Sequence, residues 1–321
     1  MLECVPNFSE GRDKQIIARI RQGIESVAGV KVLHTDMGFD AHRTVITFAG
    51  KPEACLEAAW QSVRIATGLI DMRHQKGAHP RLGAVDVFPF VPLQGSEMTE
   101  AIDCARILAE RVGRELRIPV YLYGEAALRA NRKNLAEVRK GEYEGLNEKL
   151  KLEEWKPDFG PTVFNEKSGA LITGARKVLV AYNINLAGGD AALAQKIARQ
   201  LREKNGGLKA VRAIGWWMPA FNCPQVSCNL VDLDLTPLHL VFDTCCRLAE
   251  EMGTRVTGSE LVGLVPVKVL TDAADFYNQG KTMTEKEKLE FVKTKFGLSS
   301  VKPFDPSKQI IEKALGGWQP G

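Results

Sequence analysis

Residues 178–202 read VLVAYNINLAGGDAALAQKIARQLR, and two hydrophobic periods meet inside them. Val178, Val180, Tyr182 and Ile184 alternate with residues of the opposite face, where Asn183 and Asn185 fall, the period of two expected of a strand. From Asp190 the spacing lengthens to three and four, and Leu193, Ile197 and Leu201 form the inward stripe of a helix ending near Arg202. Downstream, strands are predicted near Ala210–Trp217 and Gln225–Leu233. A helix over Pro237–Met252 follows, with extended segments at Arg255–Thr257 and Leu261–Val265. The first half repeats this order. It has a strand at Leu2–Phe8, a helix near Asp13–Val27 with Ile16, Ile17, Ile20 and Ile24 on one stripe, and strands at Val30–Asp36 and Arg43–Ala49. A helix from Pro52 to Ile70 starts with proline, where a missing N–H costs little, and a strand lies at Ala84–Val91.

Both halves spell β-α-β-β-α-β. The expectation is an α/β (α+β) chain of two ferredoxin-like subdomains, each with helices on one sheet face, whose free faces confront each other across a cleft. Boundaries are expected at 1–177 and 178–298, with a tail over 299–321 rich in proline and glycine. The stretch Ile118–Lys177 adds a strand at Pro119–Tyr123, polar helices over Leu135–Leu150 and a Pro/Gly loop over Trp155–Gly169. An exposed amphipathic helix is expected over Glu285–Phe296.

The chain has 321 residues, 45% hydrophobic and 26% charged, which suits a packed core and excludes global disorder. No apolar run approaches the roughly 20 residues of a membrane span. No basic-then-apolar leader opens the sequence, and seven cysteines, two of them adjacent, suit thiols of a reducing compartment, so the cytoplasm is expected. A net charge of +4, dispersed along the chain, gives no basic stripe for nucleic acid.

Chemistry concentrates in Ile70–Asp86, IDMRHQKGAHPRLGAVD, which holds His74, His79, Lys76, Arg81, Asp71 and Asp86. Gly77 and Pro80 break any helix there, so the segment is a loop ahead of a strand. An imidazole such as His79 suits general acid–base work, or simply a hydrogen bond within a tight loop. His74 and His79 lack helical ligand spacing, and Cys223 and Cys228 lack a second pair, so no metal is expected. Strand alternation sets Asn183, Asn185, Gln225, Ser227 and Asn229, and in the first half Arg43 and Thr47, on faces opposite the apolar ones. Gly280-Lys281-Thr282 lacks the upstream glycine of a phosphate loop, and Gly258-Ser259-Glu260 is not a nucleophile elbow.

At these same segments the chain resembles the glutamate formimidoyltransferase (formiminotransferase) family. The matching blocks include ECVPNFSEGRD at 3–13, KGAHPRLGAVDVFPFVP at 76–92, RKGEYEGLNEKL at 139–150, WKPDFGPTVF at 155–164, GARKVLVAYNINL at 174–186 and GSELVGLVP at 258–266. The resemblance covers about residues 1–277. It implies transfer of a formimino group from N-formimino-L-glutamate to N5 of tetrahydrofolate, a polyglutamated co-substrate, in histidine degradation and one-carbon metabolism. It further implies acid–base catalysis by His79 and folate binding by GPTVFNEKSG at 160–169, through Gly160, Pro161, Thr162, Val163, Phe164 and Gly169. No cyclodeaminase block accompanies these, so a separate deaminase is expected to take the product, and a homodimer is implied. Candidate substrate contacts are Arg43, Lys76, Arg81 and Arg176, whose planar arginine forks suit carboxylates, and the amides Asn183, Asn185, Gln225 and Asn229. Gln75 and Ala78 depart from the His-Lys-Gly-Glu-His-Pro-Arg pattern of the family. The same site would serve formyl transfer between formylglutamate and tetrahydrofolate, or folate binding without catalysis.

Overall fold

Pro6 splits the first strand in two. In the computed structural model, which describes residues 1–93, 95–279 and 282–318, β1 (Leu2–Cys4) and β2 (Asn7–Phe8) both run between β4 (Arg43–Gly50) and β5 (Val85–Pro92). Gly280 and Lys281 of the rejected phosphate-loop match, and residues 319–321 of the expected tail, lie outside the described residues.

Two compact units share the described residues, 1–177 with Trp318, and 178–317, and each carries its own sheet in a mixed α/β arrangement. In unit 1, β3 (Val30–Gly38) pairs with β4, and antiparallel pairing continues through β1 and β2 to β5. The sheet then extends in parallel through β7 (Leu171–Ala175) to β6 (Val120–Gly124). The strand β7 and the helix α3 (Met98–Arg111) were absent from the sequence reading; α3 buries Ala101, Cys104, Ala105 and Leu108. One sheet face packs on α1 (Lys14–Glu25), α2 (Pro52–Leu69) and α3. Asp13 caps α1 by accepting from the backbone N–H groups of Gln15 and Ile16, and Ile17, Ile20 and Ile24 form its buried stripe. The opposite face is covered toward β6 and β7, where α4 (Leu135–Arg139) and α5 (Glu142–Lys149) bring Val138, Leu146 and Leu150 onto Val87, Tyr121 and Ile172.

Unit 2 pairs β8 (Val180–Leu186), β9 (Val211–Met218), β10 (Cys223–Leu230) and β11 (Val256–Val262) in the order β11-β8-β10-β9, every pairing antiparallel. Its core takes Val180, Tyr182 and Ile184 of β8 and Val226, Cys228 and Leu230 of β10, packed against α6 (Ala191–Leu201) and α7 (Leu238–Glu251). The two extended segments read near Arg255 and Leu261 form one strand, β11, with a bulge between Val256 and Gly258. The helix α8 (Val267–Asn278) was not anticipated, and α9 (Glu285–Lys295) is sunk into the core by Leu289 and Val292. The stretch read as a tail is folded into this unit as far as Leu315. Short helices α10 (Pro306–Gln309) and α11 (Ile311–Leu315) bring Ile310, Ile311 and Leu315 into buried positions, and Ile310 bridges to Val265. Its apolar residues, spaced among prolines and lysines, carry that packing where overall composition suggested solvent.

Candidate active site

Six residues of loop separate Ile70, the C-cap of α2, from Gly77, and backbone bonds to three other segments fix it. The Met72 N–H donates to the Lys167 carbonyl, the Ala78 N–H to the Asp40 carbonyl, and the Tyr143 N–H to the Arg81 carbonyl. Gly77 lies so near the 41–42 backbone that a Cβ there would meet the Ala41 carbonyl oxygen at 2.3 Å. Side chains complete the lattice. Glu10 accepts from the Arg12 and Asp13 N–H groups and meets His42 Nε2 at 3.1 Å, while His42 Nδ1 faces the Lys76 carbonyl at 2.9 Å. Gln75 donates to the His42 carbonyl and accepts from Arg81 Nε at 2.7 Å. Gln75, one of the two departures from the family pattern, is thus a structural bridge.

Arg81 spends its whole fork on this lattice. Its five N–H groups reach the Gln75 side chain and carbonyl, Glu142, and both oxygens of Glu144. No donor of Arg81 remains for a substrate carboxylate, and Glu144 raises its pKa further. Lys76 is exposed and lines a recess of about 440 Å³ with Arg81, Glu142 and Glu144.

His79 sits otherwise. Arg43, reaching over from β4, donates through Nη1 to His79 Nε2. Because a guanidinium only donates, Nε2 accepts, and a neutral ring carries its proton on Nδ1. Nδ1 is buried and has no partner among the described residues. Burial first, then the Arg43 and Arg139 charges, push the His79 pKa from 6.5 down to about 3, with the Pro80 backbone opposing. The imidazole is therefore neutral at pH 7. Burial also lowers the pKa of Arg43, with Arg139 adding to the effect and Asp86 and Asp36 opposing it.

Arg139, at the end of α4, is anchored through Nε and Nη2 on the two oxygens of Asp86, whose carboxylate is 1% exposed and also accepts from the Leu82 N–H. Arg176 follows β7, and burial raises the pKa of its neighbour Tyr123 while hydrogen bonding to Arg176 and the charges of Arg176 and Arg139 resist that. Two arginines, Arg43 and Arg139, thus stand near one neutral imidazole, with Asp86 and Asp36 as the acids acting on Arg43, while Arg139 and Arg176 both act on Tyr123. Such a cluster suits an anionic ligand.

The 160–169 loop adjoins this lattice. Gly83 bridges Gly169, and the Tyr143 hydroxyl donates to the Glu166 carbonyl. Phe164 is half-buried and packs against the small core under α5, beside Tyr143 at 5.3 Å between ring centroids, while Val163 is 68% exposed. Gly160 and Gly169 have φ of +82° and +66°, and a Cβ on either would fall within 2.3 Å of a carbonyl oxygen.

On unit 2 the polar faces read from alternation form a bonded network. Trp216 Nε1 donates to Gln225 Oε1 at 2.8 Å, and Gln225 Nε2 donates to Asn185 Oδ1 at 2.8 Å and Glu260 Oε1 at 3.2 Å. Asn183 Nδ2 adds a bond of 3.1 Å to Glu260. Asn229, on the same strand face, is exposed. The sequence reading missed Arg139 and Glu260. Glu260, the one charged residue of β11, is the one that carried a local signal.

Among the described residues no cluster of three metal-type ligands occurs, and no helix is long and apolar enough to cross a membrane. The model of the "Formiminotransferase domain, N-terminal subdomain" matches residues 1–176, and that of the "Formiminotransferase domain" matches 181–316. Formimidoyltransferase-cyclodeaminase of Rattus norvegicus is 47% identical over 97% of this chain and 59% of its own length. Glutamate formimidoyltransferase of Thermoplasma acidophilum is 45% identical over 87% of this chain and 92% of its own. That of Streptococcus pyogenes is 38% identical over 99% of both. The chain spans about three-fifths of the length of the bifunctional relatives it matches. Two family models matched in sequence order along nearly the whole chain carry one conclusion: it belongs to the formiminotransferase domain family.

Proposed function

We propose that the chain transfers the formimino group of N-formimino-L-glutamate to N5 of tetrahydrofolate, with His79 as general acid–base. The observation that carries this reading is the neutral imidazole of His79, held by Arg43 in a loop that the Gln75–Arg81 lattice fixes. In the proposed sequence a substrate carboxylate takes Arg43, which frees Nε2. N5 attacks the formimino carbon, and Nε2 accepts the proton that N5 loses as the tetrahedral intermediate forms. The imidazolium returns that proton to the departing glutamate nitrogen as its bond to carbon breaks, so glutamate leaves and His79 ends neutral. Arg176 is a further carboxylate clamp in this proposal, and Lys76 an exposed charge for the outer carboxylates; Arg81 is left out because its donors are taken.

Folate binding is assigned to the 160–169 loop through Gly160, Pro161, Thr162, Val163, Phe164 and Gly169, supported by the family match and by the loop's bonds to the His79 segment. The amides Asn183, Asn185, Gln225 and Asn229 are proposed as ligand contacts on unit 2, and the strand order supports a β-α-β-β-α-β plan in each unit. The proposal includes a place in histidine degradation, a homodimer, a separate deaminase for the product, and a cytoplasmic setting. Seven free thiols support that last point. The test is a spectrophotometric assay of N-formimino-L-glutamate with tetrahydrofolate. Product formation that needs both compounds supports the reading, and its absence with folded protein refutes it.

A further inference from the structure

Trp216 fixes the direction of the Gln225 amide and, through it, that of Asn185. An indole N–H can only donate, so Gln225 must turn Oε1 toward it and Nε2 away. Gln225 Nε2 then demands acceptors, and finds them in Asn185 Oδ1 and Glu260 Oε1. This leaves two ends open. Asn185 Nδ2 is buried, with no partner among the described residues, on a side chain 1% exposed overall. Glu260 Oε1 takes two amide N–H groups, from Gln225 and Asn183, while Oε2 has, among the described residues, only the Lys302 ammonium, 3.8 Å away. Asn185 and Glu260 are neighbours, because both accept from the same nitrogen. A buried donor left unmade is costly, and a buried carboxylate calls for a cationic or N–H-rich partner. Lys302, 69% exposed at its side chain, marks where a displaceable positive group already stands.

We propose that Glu260 Oε2 and Asn185 Nδ2 form a recognition pair for a planar N–C–N donor group flanked by an acceptor oxygen. The N–C–N edge bonds to the carboxylate, and the neighbouring oxygen accepts from the asparagine amide. Resting on the proposed activity, this chemistry has two sources. One is the formimino cation of the donor beside its own α-carboxylate, and the other is the 2-amino-4-oxo edge of the folate ring. Glu260 is then a specificity residue whose negative charge, and not its shape, is what the ligand reads.

The test is Glu260→Gln in the full chain, with turnover of N-formimino-L-glutamate and of N-formyl-L-glutamate, and calorimetric binding of 5-formyltetrahydrofolate. If the pair reads the formimino cation, KM for that donor rises about 10- to 100-fold, the scale of a hydrogen bond to charge. In that arm the formyl donor and folate affinity change less than about threefold. If it reads the folate ring, folate affinity falls by that factor and neither donor's KM moves. Parent-like values in all three measurements on a folded variant overturn the proposal. Should Glu260→Gln fail to fold, Asn185→Asp decides, because it keeps the acceptor for Gln225 and removes the free donor. A loss confined to one arm supports the pair, and parent-like behaviour overturns it. Parent protein inactive with every donor would instead refute the proposed activity.

Discussion

Replacing Arg43 by methionine separates the two influences that keep His79 neutral. A pKa depressed from 6.5 to about 3 sets roughly 5 kcal/mol against the imidazolium, at about 1.4 kcal/mol per unit. Burial is the largest cause and stays in Arg43→Met; the guanidinium is the second and goes. Removing a like charge in contact returns on the order of 1–3 units, so the variant imidazole should titrate between about 4 and 6. The sign follows from linkage. With its folded pKa below that of the unfolded chain, His79 contributes stability that is present above about 6.5 and is lost as pH falls toward 3. Proton NMR of the imidazole between pH 3 and 8, assigned by loss of the resonance in His79→Ala, gives both values directly. The kcat/KM profile should then show no loss from this group between pH 7 and 5 in the parent, and an acid limb at the new pKa in the variant. A parent His79 titrating near 6.5, or an Arg43→Met variant with an unchanged pKa, would refute the reasoning.

Other outcomes follow from the same geometry. Arg81→Met should lower stability by about 2–3 kcal/mol, since it strips five bonds from a side chain 8% exposed and leaves Glu142 and Glu144 facing one another. Thermal unfolding, with proteolysis near residues 72–78 as a second readout, would check it. Gly169→Ala meets the Leu82 carbonyl oxygen at 2.3 Å on a residue with φ +66°, and should cost more than about 2 kcal/mol by denaturant titration. Gly68→Ala, on an exposed position of α2 with nothing within 4 Å, should instead gain about 0.5–1 kcal/mol in the same assay. Asp86→Asn removes the charge that anchors Arg139; kcat should fall by roughly tenfold or more in the formimino assay, with folate affinity within about threefold.

Much of unit 2 could be read directly because its strands obey a strict period of two. The alternation over 178–185 and 225–231 is matched by the core taking Val180, Tyr182, Ile184, Val226 and Cys228, with Asn183, Asn185 and Gln225 on the other side. Unit 1 yielded less at its second half. Strand β7 is a five-residue apolar run, LITGA, whose identity depends on β5 and β6 lying on either side of it. Such partnerships are long-range and leave no local period. Helix α3 was within reach, since Ala101, Cys104, Ala105 and Leu108 recur at three and four, but polar residues interrupt the stripe. At the site, His79 and Arg43 were marked by loop breaks and strand alternation. Arg139 was not, because its place depends on Asp86, 53 residues away in the chain, and nothing near it signals that partnership. Arg81 looked like a clamp by residue type alone; only the positions of Gln75, Glu142 and Glu144 reveal that its donors are spent.

The central claim is that one loop imidazole moves the protons of the transfer. Turnover of N-formimino-L-glutamate with tetrahydrofolate by His79→Ala, measured beside calorimetric folate binding on the same preparation, addresses it most directly. The account predicts kcat lower by about a hundredfold or more with folate affinity within about twofold of the parent. A folded variant that turns over at the parent rate would contradict it.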